Sequence, residues 1–145
     1  GHAYNTGDPA YYNNTLIGSC DFSIQGGSVD AAFISITNFS IVPNNGNLTG
    51  EEYNIWAGDN VTKLGETIAQ SEGYITSTNA NVNADGIYYT DMGEATYLSA
   101  FGDSGGPVYL TDSKKVIGIH KGSTAFTSIF VKVDNIASKL NAHFN

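Results

Sequence analysis

The stretch Phe101-Gly102-Asp103-Ser104-Gly105-Gly106-Pro107 places one serine among glycines. Because glycine has no Cβ, the backbone N–H groups of such a loop can come close to a reacting carbonyl. The stretch therefore predicts an acyl-transfer site in which Ser104 is the nucleophile. The alternative is a glycine-rich hairpin turn that carries a solvated serine.

A nucleophilic serine needs a base within hydrogen-bond reach and a carboxylate that orients the base. The chain has three histidines. His143 lies in the C-terminal tail, where we expect disorder. His120 lies in an apolar run, where it is either a core histidine or a specificity residue. His2 is left as the candidate base, although a Gly-His start is also what an expression scar leaves.

Asp30 is the candidate for the orienting acid. It stands at the start of Val29-Asp30-Ala31-Ala32-Phe33-Ile34-Ser35-Ile36, which has the pattern of a strand that follows a turn at residues 25–28. An aspartate directly before an apolar strand lies at the rim of a core. The alternative is a solvated acid in a hairpin.

Composition excludes several classes of protein. With 145 residues, of which 41% are hydrophobic, the chain predicts one globular unit. Its net charge is −8, and its six basic residues are all lysine, so nucleic acid is not an expected partner. No apolar run is long enough for a membrane helix. Cys20 is the only cysteine, which excludes an internal disulfide. We expect neither a metal nor a cofactor.

The chain pattern is that of an all-β protein with one closing helix. A long surface connection is predicted over 38–52, and Trp56 is predicted to fill the core or a sheet edge. The predicted helix covers 133–140, where apolar residues recur at helical spacing. The predicted strands cover 15–22, 29–36, 53–56, 68–75, 80–89, 108–110, 116–120 and 128–133. Residues 4–14 are predicted to be rich in turns, and residues 91–93 are predicted to form a turn that leads to the Ser104 loop.

Three elements together resemble the chymotrypsin-like serine proteases, and most closely their streptogrisin-type branch. They are Gly102-Asp103-Ser104-Gly105-Gly106-Pro107, the pair Gly1-His2 and the tripeptide Asp30-Ala31-Ala32. The resemblance implies a double β-barrel with a C-terminal helix. Residues 1–45 would be the remainder of the first barrel, and residues 46–145 the second barrel. It also implies a secreted endopeptidase that acts on protein or peptide substrates.

The same resemblance implies a role for each site residue. Ser104 attacks the scissile carbonyl, His2 takes and returns the proton, and Asp30 orients His2. The backbone N–H groups of Gly102 and Ser104 form the oxyanion hole. Asp103 is expected to be buried and paired with Lys63, although a solvated Lys63 is an equal alternative.

The position of His2 departs from the family pattern, in which several strands of the first barrel precede the catalytic histidine. We therefore expect an open first barrel with an unpaired sheet edge. A separate N-terminal segment that completes the barrel is one explanation. A removed segment, an incomplete product or a coincidental histidine are the others. The alternative function is a non-catalytic protease-like module or proteolytic fragment that binds a partner through this edge.

The run Gly118-Ile119-His120-Lys121-Gly122-Ser123 bears on specificity. A Gly-x-His here resembles glutamyl endopeptidases and the viral main proteases that recognise Gln or Glu. Ser123 and Ser99 are candidates for further hydroxyl donors, and no acid replaces Leu98 to bind a basic side chain. The resemblance thus implies cleavage after Glu, and less efficiently after Asp or Gln. Many relatives have serine where this chain has Lys121, and the sequence does not indicate which way that side chain points.

Overall fold

The computed structural model describes residues 2–40, 47–84 and 86–143. These residues form nearly an all-β protein with two sheets and one short helix. The strands are β1 (Pro9–Tyr12), β2 (Thr15–Gly26), β3 (Val29–Ile36), β4 (Asn60–Leu64), β5 (Gln70–Ala84), β6 (Ile87–Ala95), β7 (Pro107–Leu110), β8 (Val116–Ser123) and β9 (Ser128–Lys132). The helix is α1 (Val133–Leu140).

The first sheet is antiparallel and contains three strands in the order β1-β2-β3. A tight turn joins β2 to β3 because Gly26 and Gly27 adopt φ values of 117° and 59°. This turn pairs Asp30 with Gln25 at the start of β3. Within the described residues, β1 and β3 each pair with β2 alone, so the sheet is open at both edges, as the sequence predicts.

The second sheet is a closed antiparallel barrel in the order β4-β5-β6-β9-β8-β7. Its interior is filled by Val61, Ile75, Ala95, Tyr97, Val108, Ile117 and Phe130. Closure pairs the outer strands β4 and β7 with each other, so the barrel has no free edge. The loop that contains Ser104 connects β6 to β7 across one end of this barrel.

A second core joins the two sheets. Val29 and Ala31 of β3 pack with Tyr89 and Met92 of β6 and with the buried face of α1. Burial of this apolar surface holds the open sheet, and with it Asp30, against the barrel. No helix in the described part of the chain is long and apolar enough to cross a membrane.

The structure confirms the all-β class, the bounds of β3 and those of the closing helix. Other predicted elements are wrong. Residues 4–14 contain β1 rather than turns alone, residues 53–56 form no strand, and β4 was not predicted. Trp56 fills no core, because 70% of its surface is exposed. The predicted boundary between residues 45 and 46 and the centre of the 38–52 connection lie outside the described residues.

Candidate active site

His2 and Asp30 are in direct contact. The Nδ1 atom of His2 lies 2.8 Å from Oδ2 of Asp30, and the backbone N–H of His2 donates to Oδ1 at 2.7 Å. The carboxylate is 1% exposed, whereas the imidazole is 36% exposed. An aspartate acceptor keeps the proton on Nδ1, so Nε2 is left as the acceptor on the open side of the ring.

Lys121 reaches the same carboxylate from the barrel. Its Nζ lies 2.8 Å from Oδ2 of Asp30 and 4.7 Å from the ring centre of Tyr89, and its side chain is 9% exposed. The Tyr89 hydroxyl donates to the same oxygen at 3.3 Å. Burial raises the pKa of Asp30, but the hydrogen bonds that the carboxylate accepts, chief among them that from Lys121, hold this pKa well below its ordinary value.

A β-bulge explains why the sequence does not indicate the direction of Lys121. The pairing of β8 with β9 shifts register between His120 and Gly122, and Lys121 is the extra residue. A bulge re-aims its side chain relative to the regular alternation of a strand. His120 therefore lines the cavity and Lys121 contacts Asp30, although the two residues are neighbours in one strand.

Ser104 lies on the exposed β6–β7 loop, and its Oγ donates to the Lys121 carbonyl at 2.9 Å. The described hydrogen bonds of Ser104 include none to His2. Gly102 has a φ of 100°, so the chain turns in a way that other residues rarely adopt. Neither the Gly102 N–H nor the Ser104 N–H has an acceptor within the described residues. Both donors are therefore available to an oxygen atom outside the chain.

Asp103 anchors this loop from inside the protein. Its Oδ2 lies 2.6 Å from Nζ of Lys63, and both side chains are fully buried. Backbone N–H groups of Thr67 and Ile68 donate to Oδ1, and that of Ala100 donates to Oδ2. Burial raises the pKa of Asp103, but Lys63 and these N–H groups hold this pKa well below its ordinary value. The predicted pairing with Lys63 is present.

Two cavities meet at Ser104. One, of about 250 Å³, is lined by His2, Asp30, Ser104 and His120 together with Tyr4 and Ile34. The other, of about 520 Å³, lies beside the same loop and is lined by Tyr12, Leu48, Glu66 and Pro107 among others. A chain segment that passes Ser104 would thus lie next to both cavities. His143, by contrast, contacts Glu51 at 3.2 Å, away from both cavities.

His120 is 2% exposed, and its ring lines the smaller cavity. The Tyr97 hydroxyl lies 3.0 Å from its Nδ1. Burial, followed by the Lys63 ammonium, lowers the pKa of His120 to about 4, so the imidazole is neutral at neutral pH. Burial also raises the pKa of Tyr97, which keeps its hydroxyl proton. When that proton is donated to Nδ1, Nε2 carries the N–H.

The two candidate serines differ in environment. Ser123 is exposed at the end of β8. Ser99 Oγ lies 2.9 Å from Ser128 Oγ, and Ser128 donates its own proton to the Tyr97 carbonyl at 2.8 Å. Because a hydroxyl has one proton, the proton between the two serines belongs to Ser99. A substrate would have to displace Ser128 in order to receive it. Sequence reasoning missed Tyr97, which no local motif marks.

No protein-family model matches the chain. Glutamyl endopeptidase 2 of Streptomyces griseus is 39% identical over 72 residues, which are 49% of this chain and 37% of that protein. The match therefore spans little more than a third of this relative's length.

Solved structures cover nearly the whole chain. Protease A of Thermobifida fusca superposes with a TM-score of 0.80 and 25% identity, over 97% of this chain and 78% of that one. A glutamic acid-specific serine protease that uses a histidine triad in substrate binding gives a TM-score of 0.77 and 23% identity, over 97% and 80%. With an open sheet, a closed barrel and a C-terminal helix, the chain has the fold of the chymotrypsin-like serine proteases.

Proposed function

We propose that the protein is a serine endopeptidase whose triad is Ser104, His2 and Asp30. The observation that carries the proposal is the 2.8 Å contact between His2 Nδ1 and Asp30 Oδ2 beside the Ser104 loop. All three residues line one cavity. Similarity to serine proteases supports the same reaction class, whereas nothing on the site favours a non-catalytic module.

The reaction requires one rearrangement in this site. The Ser104 hydroxyl turns from the Lys121 carbonyl toward Nε2 of His2, which takes the proton as Oγ attacks the scissile carbonyl carbon. The carbonyl oxygen becomes an oxyanion and accepts from the N–H groups of Gly102 and Ser104. The C–N bond then breaks, and His2 returns the proton to the leaving amine. Water repeats the sequence on the acyl-enzyme and frees Ser104.

We also propose that the enzyme cleaves after Glu. His120 would donate its Nε2 proton to the carboxylate of the substrate, and Ser99 and Ser123 would add hydroxyl contacts. The similarity to a glutamyl endopeptidase supports this preference. The net charge of −8 opposes acidic substrates at long range, but salt screens such a field beyond about 8 Å. Short hydrogen bonds in the cavity should therefore decide specificity.

Two further expectations belong to this function. The family resemblance supports secretion, where a protease meets protein substrates. The open edges of the three-stranded sheet support an additional segment that completes the first barrel, so activity tests should use the longest form of the protein that contains this chain.

A fluorophosphonate probe tests the central proposal, because it phosphonylates a serine only when that serine is activated. We expect one adduct, on Ser104, and we expect the rate of peptide hydrolysis to fall in proportion to the fraction of protein that is labelled. Ser104→Ala should abolish both while leaving the fold unchanged, because a small exposed loop residue contributes little packing. Ser138→Ala is the matched control for labelling, because Ser138 is exposed on α1 and lines neither cavity. An unlabelled wild-type protein, or an active Ser104→Ala variant, would overturn the proposal.

A further inference from the structure

The environment of Lys121 is unusual for a lysine. The side chain leaves β8 at a bulge, is almost fully buried, and ends between the Asp30 carboxylate and the face of the Tyr89 ring. Its Nζ and the Nδ1 of His2 each lie 2.8 Å from the same oxygen, Oδ2 of Asp30. The ammonium thus shares the oxygen atom that orients the base.

We propose that Lys121 is a positioning residue that neutralises the charge of Asp30 and thereby extends the action of His2 as a base to lower pH. The inference rests on the proposed triad.

The physical reason lies in the two tasks of the triad acid. As a hydrogen-bond acceptor, Asp30 fixes the tautomer and orientation of His2. As a negative charge, it stabilises the protonated imidazolium. An ammonium on the same oxygen leaves the acceptor in place but offsets the charge, because opposite charges at this distance interact strongly in a buried site. His2 keeps its orientation and gives up its proton more readily.

Among the side chains of the described residues, the others that face Asp30 and His2 do not supply a positive charge. Tyr89 of β6 donates a neutral hydroxyl, since burial raises the pKa of its phenol. His120 lines the same cavity but is neutral at neutral pH, because burial lowers its pKa to about 4. Ser104 is uncharged. Lys121 therefore supplies the positive side-chain charge at the triad acid.

The test is the pH dependence of Ser104 labelling by a fluorophosphonate, measured as a second-order rate constant. Lys121→Gln and Lys121→Ser each remove the charge and keep a polar group. We expect the acid limb of their profiles to move to higher pH by about one unit, and hence labelling on that limb to fall about tenfold relative to wild type. Lys121→Arg should keep the wild-type limb, since it retains the charge.

Lys139→Gln is the matched control, because it removes one lysine charge from the exposed face of α1. Its limb should coincide with that of wild type. Two charge-removing variants are used so that misfolding of one leaves the other to decide. The inference would be overturned if a folded Lys121→Gln or Lys121→Ser variant kept the acid limb of the wild-type profile, or if Lys139→Gln shifted the limb equally. Neither result would contradict the proposed triad. Absence of labelling in the wild-type protein would overturn the proposed triad and the inference with it.

Discussion

Both buried carboxylates of the site, Asp30 and Asp103, have a lysine as counterion. Lys121 binds Oδ2 of Asp30, and Lys63 binds Oδ2 of Asp103. An ammonium is a compact charge that occupies one oxygen, whereas an arginine would tend to bind both. In each case Oδ1 remains available to backbone N–H groups, from His2 in one carboxylate and from the 67–68 turn in the other. The lysines thus leave each acid free to hold a backbone segment as well.

At the level of single residues, the sequence predicts those site residues that a motif or a neighbouring strand pattern marks. Ser104 stands in a motif and Asp30 precedes an apolar strand, whereas the pairing of Lys63 with Asp103 followed only from the family resemblance. The sequence assigned no contact to Lys121 or Tyr97. The contact of Lys121 depends on a bulge, and the Tyr97 hydroxyl contacts a residue that lies 23 positions later in the chain. Neither feature leaves a local pattern in the sequence.

His120 and Tyr97 give a prediction about specificity. Tyr97→Phe removes the hydroxyl on Nδ1, so Nε2 is no longer fixed as the donor. We expect kcat/KM for a Glu substrate to fall about three- to tenfold, as for one neutral hydrogen bond. His120→Ala should abolish the preference for Glu in a peptide-library profile but still permit labelling of Ser104.

Tyr109→Phe is the control for that experiment, since Tyr109 is also a buried barrel tyrosine, whereas the described hydroxyl contact of His120 Nδ1 comes from Tyr97. A wild-type preference for Phe, Leu or Lys before the scissile bond would contradict the proposed specificity. An unchanged profile in His120→Ala would do the same.

At the level of elements, the loop between β6 and β7 depends on a backbone shape that glycine alone adopts without strain. A Cβ on Gly102 would lie 2.7 Å from Oγ1 of Thr67, and the Thr67 hydroxyl is already bonded to the Phe101 carbonyl. Thr67 also holds Asp103 through its N–H. The shape of the loop and its anchor are therefore coupled through one threonine.

Gly102→Ala should displace the N–H group proposed for the oxyanion hole. We expect kcat/KM to fall by about a hundredfold or more, the usual cost of losing one such donor. Gly58→Ala is the matched control, because Gly58 has nearly the same φ, 98°, and open space around its Cβ position. Both variants should lose thermal stability because of the positive φ, and Gly102→Ala should lose more because its Cβ also meets Thr67. Full activity in a folded Gly102→Ala variant would exclude this N–H as a donor.

Elements were predictable where the pattern was strong and local. The alternation of β3 and the apolar spacing of α1 gave correct bounds. The turn predicted at residues 91–93 is wrong, because Lys132 and Asn135 bind the Asp91 side chain and hold it within β6. A glycine is required at position 93 because the Phe130 ring occupies the space that the Cβ of any other residue would need. Residues 53–56 have β-prone side chains but pair with none of the strands in the described part of the chain.

At the level of the whole molecule, three buried titratable groups predict a marked acid sensitivity. His120 is neutral in the fold with a pKa of about 4 but has an ordinary value of 6.5, so the unfolded chain takes up a proton first as the pH falls. Stability should therefore decrease between these values, by up to about 1.4 kcal/mol per pH unit. Asp30 and Asp103 have pKa values below the ordinary 3.8, so their contribution is lost only below about pH 4.

Chemical denaturation at a series of pH values measures this dependence. In the His120→Asn variant, the free energy of unfolding should vary less between pH 6.5 and 4 than in the wild-type protein. A wild-type free energy that is constant over this interval would contradict a buried neutral His120.

The open sheet and the closed barrel have one more consequence, for how the protein inactivates. The proposed base and its acid belong to a sheet with two unpaired outer strands in the described chain, while Ser104 lies at the end of a barrel without free edges. Sheets with open edges exchange their amide hydrogens and fray at lower cost than closed ones. Gentle heating should thus separate the base from the nucleophile by local opening and leave the barrel intact. Such inactivation reverses on cooling, because the barrel and α1 preserve the apolar surface on which β3 docks again.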